Sequence, residues 1–169
     1  LLRRAVGACP YEHVATLENV SFRVKPGQML ALAGTTGAGK TTIASLLPRF
    51  YDVVSGSVTI DGIDVREMTV RGLRSNISMV LQDVFLFNGT VIENIRYSNL
   101  SANDDEMIAA AKAAHAHEFI MAMEKGYEAE VGEGGGLLST GQKQLISLAR
   151  AVLAQPDIFI MDEATSSVD

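Results

Sequence analysis

The run Gly34-Thr35-Thr36-Gly37-Ala38-Gly39-Lys40-Thr41 constrains this chain more than any other eight residues. Its glycines let the backbone curl tightly and come close to an anion, because no Cβ blocks either the curvature or the approach. The spacing is GxxxxGK[ST]. Before it stands the apolar run Met29-Leu30-Ala31-Leu32-Ala33, and after it Thr42-Ile43-Ala44-Ser45-Leu46-Leu47. That order predicts a buried strand, a phosphate-cradling loop and a helix. The loop amides and the helix N-terminus then point at the phosphates, so Thr35, Thr36, Gly37, Ala38, Gly39, Lys40, Thr41 and Thr42 are the expected nucleotide-binding residues. The Lys40 ammonium can reach the β- and γ-phosphates, and the Thr41 hydroxyl can ligate Mg²⁺.

Composition closes off other classes. The 169 residues are 47% hydrophobic and 20% charged, ordinary for one α/β domain with a real core. A formal charge of −6 argues against nucleic acid as a partner, since a phosphate backbone calls for a basic face. Cys9 is the only cysteine, which removes intrachain disulfides and cysteine-rich metal sites. No apolar run approaches the roughly 20 residues that span a bilayer. Leu1-Leu2-Arg3-Arg4 leads into no long apolar segment, so it reads as the interior of a longer chain and not as a signal peptide.

The expected organisation is a single α/β domain over 1–169, with a P-loop NTPase core, a mostly parallel sheet, an N-terminal antiparallel β part and an inserted α-helical subdomain. The nucleotide-binding core covers 17–82 and 155–169, and the helical subdomain about 83–154. Val20, Phe22 and Val24 alternate with polar residues, predicting a half-buried strand from Leu17 to Val24 that turns at Lys25-Pro26-Gly27. Val58-Thr59-Ile60, Asp61-Gly62 and Ile63 predict a hairpin, and Ile77 to Leu81 another strand. A helix is expected over Asp104 to Met123, opened by a Ser101/Asp104 capping box, and a second over Ser139 to Ala154. Asp157-Ile158-Phe159-Ile160-Met161-Asp162 predicts a buried strand with carboxylates at its end.

Three further places carry chemistry. Asp162 and Glu163 follow the last apolar run, where ligands sit at the carboxyl ends of strands in open α/β sheets. Asp162 would hold Mg²⁺ opposite Thr41, and Glu163 would polarise the water that attacks the γ-phosphate. Alone, such a pair also marks a plain strand end. Gln82 ends another strand, where its amide can accept from water and coordinate Mg²⁺; alone, it also reads as a solvated glutamine entering a loop. Leu138-Ser139-Thr140-Gly141-Gln142 opens a helix with a small hydroxyl and a glycine. Read by itself, Ser139 is first of all a helix N-cap. Beside a phosphate loop it also suggests a second anion site, with two copies sandwiching nucleotide.

With these residues in place, the chain resembles the nucleotide-binding domain of an ABC transporter from Leu17 to Asp169. GTTGAGKT resembles the Walker A motif, Gln82 the Q-loop, LSTGQ the signature, IFIMDE the Walker B motif with its catalytic glutamate, and Ser166 to Asp169 the D-loop. PRFYD at Pro48 to Asp52, VSGSVTIDG at Val54 to Gly62 and VLQDVFLFNGTVIENI at Val80 to Ile95 are similar to the exporter branch of multidrug and lipid type. The resemblance implies ATP and Mg²⁺ as ligands. Lys40, Gln82 and Glu163 become the catalytic set, Thr41, Gln82 and Asp162 the Mg²⁺ ligands, and Ser139, Gly141 and Gln142 the residues acting across a head-to-tail dimer. It also implies transmembrane domains as partners and a place at the cytoplasmic face of a membrane, and it puts Tyr11 against the adenine ring.

Departures from the family pattern are few. His13, His115 and His117 all precede the D-loop, so the family's switch histidine has no counterpart here, and slow hydrolysis by this chain is expected. Glu133 is followed by Gly134 where exporters usually have an ERG-like run, and Thr140 replaces the commoner glycine of the signature. Other readings remain open: a regulatory module that holds ATP without turnover, a soluble family ATPase, or a nucleotide kinase. A regulatory site usually loses the glutamate or corrupts the signature. Soluble members usually carry coiled-coil insertions or tandem cassettes, and a kinase has no use for LSTGQ.

Overall fold

The computed structural model describes the backbone of residues 2–5 and the whole of residues 16–162. It divides into two compact units, Leu1–Ser75 and Asn76–Asp169.

In the first unit, β1 (Leu2–Ala5) pairs antiparallel with β2 (Val53–Gly56), Leu2 opposite Gly56 and Ala5 opposite Val53. Helix α1 (Lys40–Leu46) starts directly after the glycine loop and buries Ile43, Ala44, Ser45 and Leu46. Ile43 and Leu46 meet Leu17 and Val53 in a small apolar core flanked by Val20 and Val58. The predicted hairpin forms: β3 (Thr59–Ile60) pairs antiparallel with β4 (Ile63–Asp64). Its two turn residues, Asp61 and Gly62, have φ of 51° and 84°, as a tight two-residue hairpin turn requires. Helix α2 (Val70–Ser75) ends the unit. Arg49 and Arg66 tie its surface together. Arg49 donates through Nε to Asp52 at 2.8 Å, and Arg66 donates through Nη2 to both Asp64 (2.6 Å) and the Gly56 carbonyl (3.0 Å).

Two expectations for this unit are corrected. The Lys25-Pro26-Gly27 turn is present, with the Gln28 amide donating to the Lys25 carbonyl at 3.1 Å. The segments on either side of it, however, form no strands, and Phe22, Val24, Met29, Leu30 and Leu32 are exposed. An apolar run becomes a buried strand only where neighbours satisfy its backbone groups and cover its faces. Among the described residues no strand flanks 28–33, and Met29 is 95% exposed.

The second unit holds the larger core. Strand β5 (Ile77–Val80) pairs parallel with β6 (Ile158–Met161), Ile77 opposite Ile158 and Val80 opposite Met161. Between them lie α3 (Val91–Arg96), α4 (Asp104–Ala113), α5 (His117–Met121) and α6 (Thr140–Leu153). Helix α6 packs on α3 and α4. Small residues Ala110, Ala111 and Ala114 let α4 approach closely, around a core that includes Leu86, Val91, Ile95, Met107, Ile120 and Ile146. No helix among the described residues is long and apolar enough to cross a membrane.

Here too the sequence expectation needs revision. The helix predicted over 104–123 is two helices. His115 takes φ 55°, the His115 amide donates to the Lys112 carbonyl, and the Ala116 amide reaches back to Ala111 at 2.8 Å, the bond pattern of a Schellman stop. The turn lets Ala114, Ala116 and Ile120 all reach the core, which a straight helix could not arrange. The capping box is Asn103 with Glu106, not Ser101 with Asp104: the Asn103 side chain accepts from the Glu106 amide, and Glu106 accepts from the Asn103 amide. Ser101 instead closes on Asn99. Strand β6 is only half-buried, and on alternate residues, with Phe159 and Met161 exposed, because it pairs with β5 alone among the described strands.

Candidate functional site

The glycine loop lies in the first unit. Gly37 and Gly39 have φ of 84° and 87°, a region that residues with a Cβ adopt only under strain. Gly39 is needed for space as well: a Cβ there would stand 2.7 Å from Cδ2 of the buried Leu17. Thr35, Thr36, Ala38 and Thr41 are exposed, while Thr42 is half-buried. The Ala38 amide donates to the Thr35 carbonyl at 3.1 Å, closing the loop. Lys40 Nζ turns back into it, donating to the carbonyls of Gly34 (2.8 Å) and Thr35 (3.1 Å). The ammonium is thus directed into the loop that the glycines shape. A phosphate oxygen is a stronger acceptor for it than either carbonyl, since both partners would then be charged. The Thr41 hydroxyl, exposed on the first turn of α1, is a hard oxygen of the kind Mg²⁺ takes.

Gln82 and Asp162 belong to the second unit and leave the same edge of the parallel strand pair. The Asp162 amide donates to the Val80 carbonyl at 2.9 Å, extending the ladder one residue past β6. This carries the Asp162 backbone to the level at which β5 runs out toward Gln82. Gln82 is exposed and Asp162 half-buried, so an amide and a carboxylate stand at one strand edge. Glu163, Tyr11 and the Ser166 to Asp169 segment lie outside the described residues.

Ser139 caps α6 as its sequence position predicts. The hydroxyl oxygen accepts from the Gln142 amide at 3.2 Å, and Gln142 Oε1 accepts from the Ser139 amide at 2.9 Å. That box occupies a lone pair of the Ser139 oxygen and leaves its proton able to donate outward. Ser139 and Thr140 are exposed and Gly141 half-buried, so the helix start is accessible. No acidic residue stands in the first turn, and the helix dipole there is open to an anion.

One cluster escaped the sequence reading. Asn94, 1% exposed, accepts at Oδ1 from the Phe87 amide and donates through Nδ2 to the carbonyls of Phe87 and Thr90. Arg150 joins it from α6, and burial pushes the guanidinium below its ordinary pKa. The available signal was Arg150 itself, a charge set among Ile146, Ala149 and Leu153 on the apolar side of a helix.

A glycine loop folded around its own lysine, with the helix that follows it, puts the chain among the P-loop nucleotide-binding α/β proteins. Comparison narrows that class. The chain belongs to the ABC transporter family, which matches residues 17–166 and whose domain binds ATP. It is 52% identical to ABC transporter B family member 4 of Dictyostelium discoideum, over 93% of this chain and 20% of that protein. It is 47% identical to the ATP-dependent lipid A-core flippase of Methylobacillus flagellatus, over 98% of this chain and 30% of that one. Among solved structures it is similar to a bacterial Atm1-family ABC exporter with ATP bound. That match has a TM-score of 0.90 and 43% identity, over 94% of this chain and 28% of the other. The chain therefore spans less than a third of the length of these relatives.

Proposed function

We propose that this chain is the ATP-hydrolysing nucleotide-binding domain of an ABC exporter, acting as one of a head-to-tail pair at the cytoplasmic face of a membrane. One observation carries the reading: the loop Gly34 to Thr41, the Gln82 and Asp162 strand edge and the capped LSTGQ helix occur together in a chain that aligns over 94% of its length with an ATP-bound exporter. The loop amides and Lys40 bind the β- and γ-phosphates, and Tyr11 stacks on the adenine. Glu163 accepts a proton from water as the water oxygen bonds to the γ-phosphorus and the bond to the ADP oxygen breaks. Gln82 orients that water. Thr41, Gln82 and Asp162 are the oxygen donors that would hold Mg²⁺, and the bound ion neutralises charge on the phosphates. Ser139, Gly141 and Gln142 donate to the γ-phosphate held by the partner copy.

Transmembrane domains are the second partner. Phe87, Tyr97 and Leu100 line an open cleft of about 370 Å³, and Leu100 is 81% exposed. An exposed apolar cleft of this kind suits docking of another protein segment. The net charge of −6 argues against nucleic acid as a partner.

Sedimentation of the Glu163→Gln variant tests the reading. A dimer that forms with MgATP and not without it is the expected result, because blocked hydrolysis traps the sandwich. A monomer in both conditions overturns the trans roles of Ser139, Gly141 and Gln142. Phosphate transfer to a small acceptor in place of water would make the protein a kinase.

A further inference from the structure

We propose that Arg150 and Asn94 form a positioning clamp, which binds the segment after Gln82 to the helix capped by Ser139 so that the two answer nucleotide as one body. The inference rests on the ATPase reading above. Arg150 Nε donates to the Asn94 carbonyl (2.8 Å), Nη2 to Asn94 Oδ1 (2.9 Å) and Nη1 to the Phe85 carbonyl (3.3 Å). The Arg150 carbonyl in turn accepts from Ser98 Oγ at 2.7 Å. Asn94 holds the other side of the same segment, with Oδ1 and Nδ2 both 2.9 Å from the Phe87 backbone. The guanidinium lies 5.4 Å from the Phe87 ring centroid and 5.9 Å from that of Tyr97. Among the described residues no carboxylate forms an ion pair with it.

A half-buried cation with no carboxylate partner among the described residues is a poor way to fill space, and an apolar side chain would do that better. What an arginine supplies is a rigid fork of directional donors, here aimed at the backbone of another segment. That segment begins at Gln82, and the helix that carries the fork begins at Ser139. A shift of either end toward a phosphate is therefore passed to the other through Arg150.

The test compares Arg150→Met, Arg150→Lys and Asn94→Asp with the parent chain. Segment-resolved hydrogen exchange is read without nucleotide, and steady-state hydrolysis with MgATP. Arg150→Met is expected to speed exchange over 84–97 about tenfold, with 104–113 changed less than about twofold, and to lower kcat about ten- to hundredfold with KM nearly constant. Arg150→Lys keeps the cation and loses the fork, so it should rescue little. Asn94→Asp keeps the acceptor for Arg150 and drops the Nδ2 bonds to Phe87 and Thr90, so it should loosen 85–90 alone and lower kcat less. Exchange that rises evenly over 76–162, or full rescue by lysine, overturns the clamp. Unchanged kcat in both Arg150 variants does the same. A parent chain without turnover would sink the ATPase reading, and the nucleotide-free exchange pattern would still decide the clamp. Should Arg150→Met fail to fold, Arg150→Lys decides it by the exchange expected of a lost fork, faster over 84–97 than over 104–113.

Discussion

The sharpest prediction concerns Gly39, where backbone conformation and space make separate demands. Gly39→Ala places a methyl group 2.7 Å from Leu17 Cδ2, 3.6 Å from Leu17 Cγ and 3.6 Å from the Thr16 carbonyl oxygen. Leu17 cannot swing away freely, since it is 6% exposed and packs with Ile43, Leu46 and Val53. The positive φ contributes about 1–2 kcal/mol of strain, and overpacking of the core adds about 1–3 kcal/mol. Gly37→Ala is the internal control: φ is nearly the same, but no atom lies within 4 Å of the added Cβ. It should therefore lose only the strain term. Urea unfolding of the four chains parent, Gly39→Ala, Leu17→Ala and the double variant measures the contact directly. Leu17→Ala alone removes core volume and destabilises by about 2–5 kcal/mol. In the double variant the cavity receives the new methyl, so the combined loss should fall short of the sum by about 1 kcal/mol or more. Equal losses for Gly37→Ala and Gly39→Ala, or strict additivity with Leu17→Ala, would refute the argument that Leu17 enforces a glycine at this position.

Acid should weaken the first unit through Asp64. The Arg66 guanidinium and then the Arg66 amide hold its carboxyl at about 2, below the ordinary 3.8. A depressed carboxyl pKa means stability that is present above pH 4 and lost as pH falls toward 2, so Asp64→Asn should flatten an unfolding-against-pH curve in that window. At the start of α4, Asn103→Ala should cost about 1 kcal/mol in urea unfolding and Ser101→Ala clearly less; the reverse order would restore the cap read from the sequence. At its end, exposed His115 holds φ 55°, so His115→Gly should stabilise by about 0.5–1 kcal/mol in the same assay. A loss of stability there would mean that the imidazole makes a contact worth more than the strain.

Local chemistry was the legible part. The Asp61-Gly62 turn, the glycine loop, the Lys25 turn and the Ser139 cap each depend on a few neighbouring residues, and each formed where the sequence placed it. Errors arose where a second segment decides. Met29 to Ala33 has a strand's composition, yet composition does not supply the neighbouring strands that would bury it. The 104–123 stretch has helical periodicity throughout. The break at His115 follows from a three-dimensional demand, that Ala114, Ala116 and Ile120 all be buried. The true cap lost to a nearby competitor because Ser101 and Asn103 both suit the position, and only the helix register chooses between them.

By itself, then, the sequence determined the phosphate loop, the order of the nucleotide-binding motifs and the family, because these are short-range patterns of residue type and spacing. Tertiary structure alone decided that Leu17 crowds Gly39, that Asp162 runs in register with the strand leading to Gln82, and that Arg150 reaches Asn94 and Phe85. Each of these joins residues far apart in the chain. Such contacts follow from how helices and strands pack, and no local pattern encodes the distance between them.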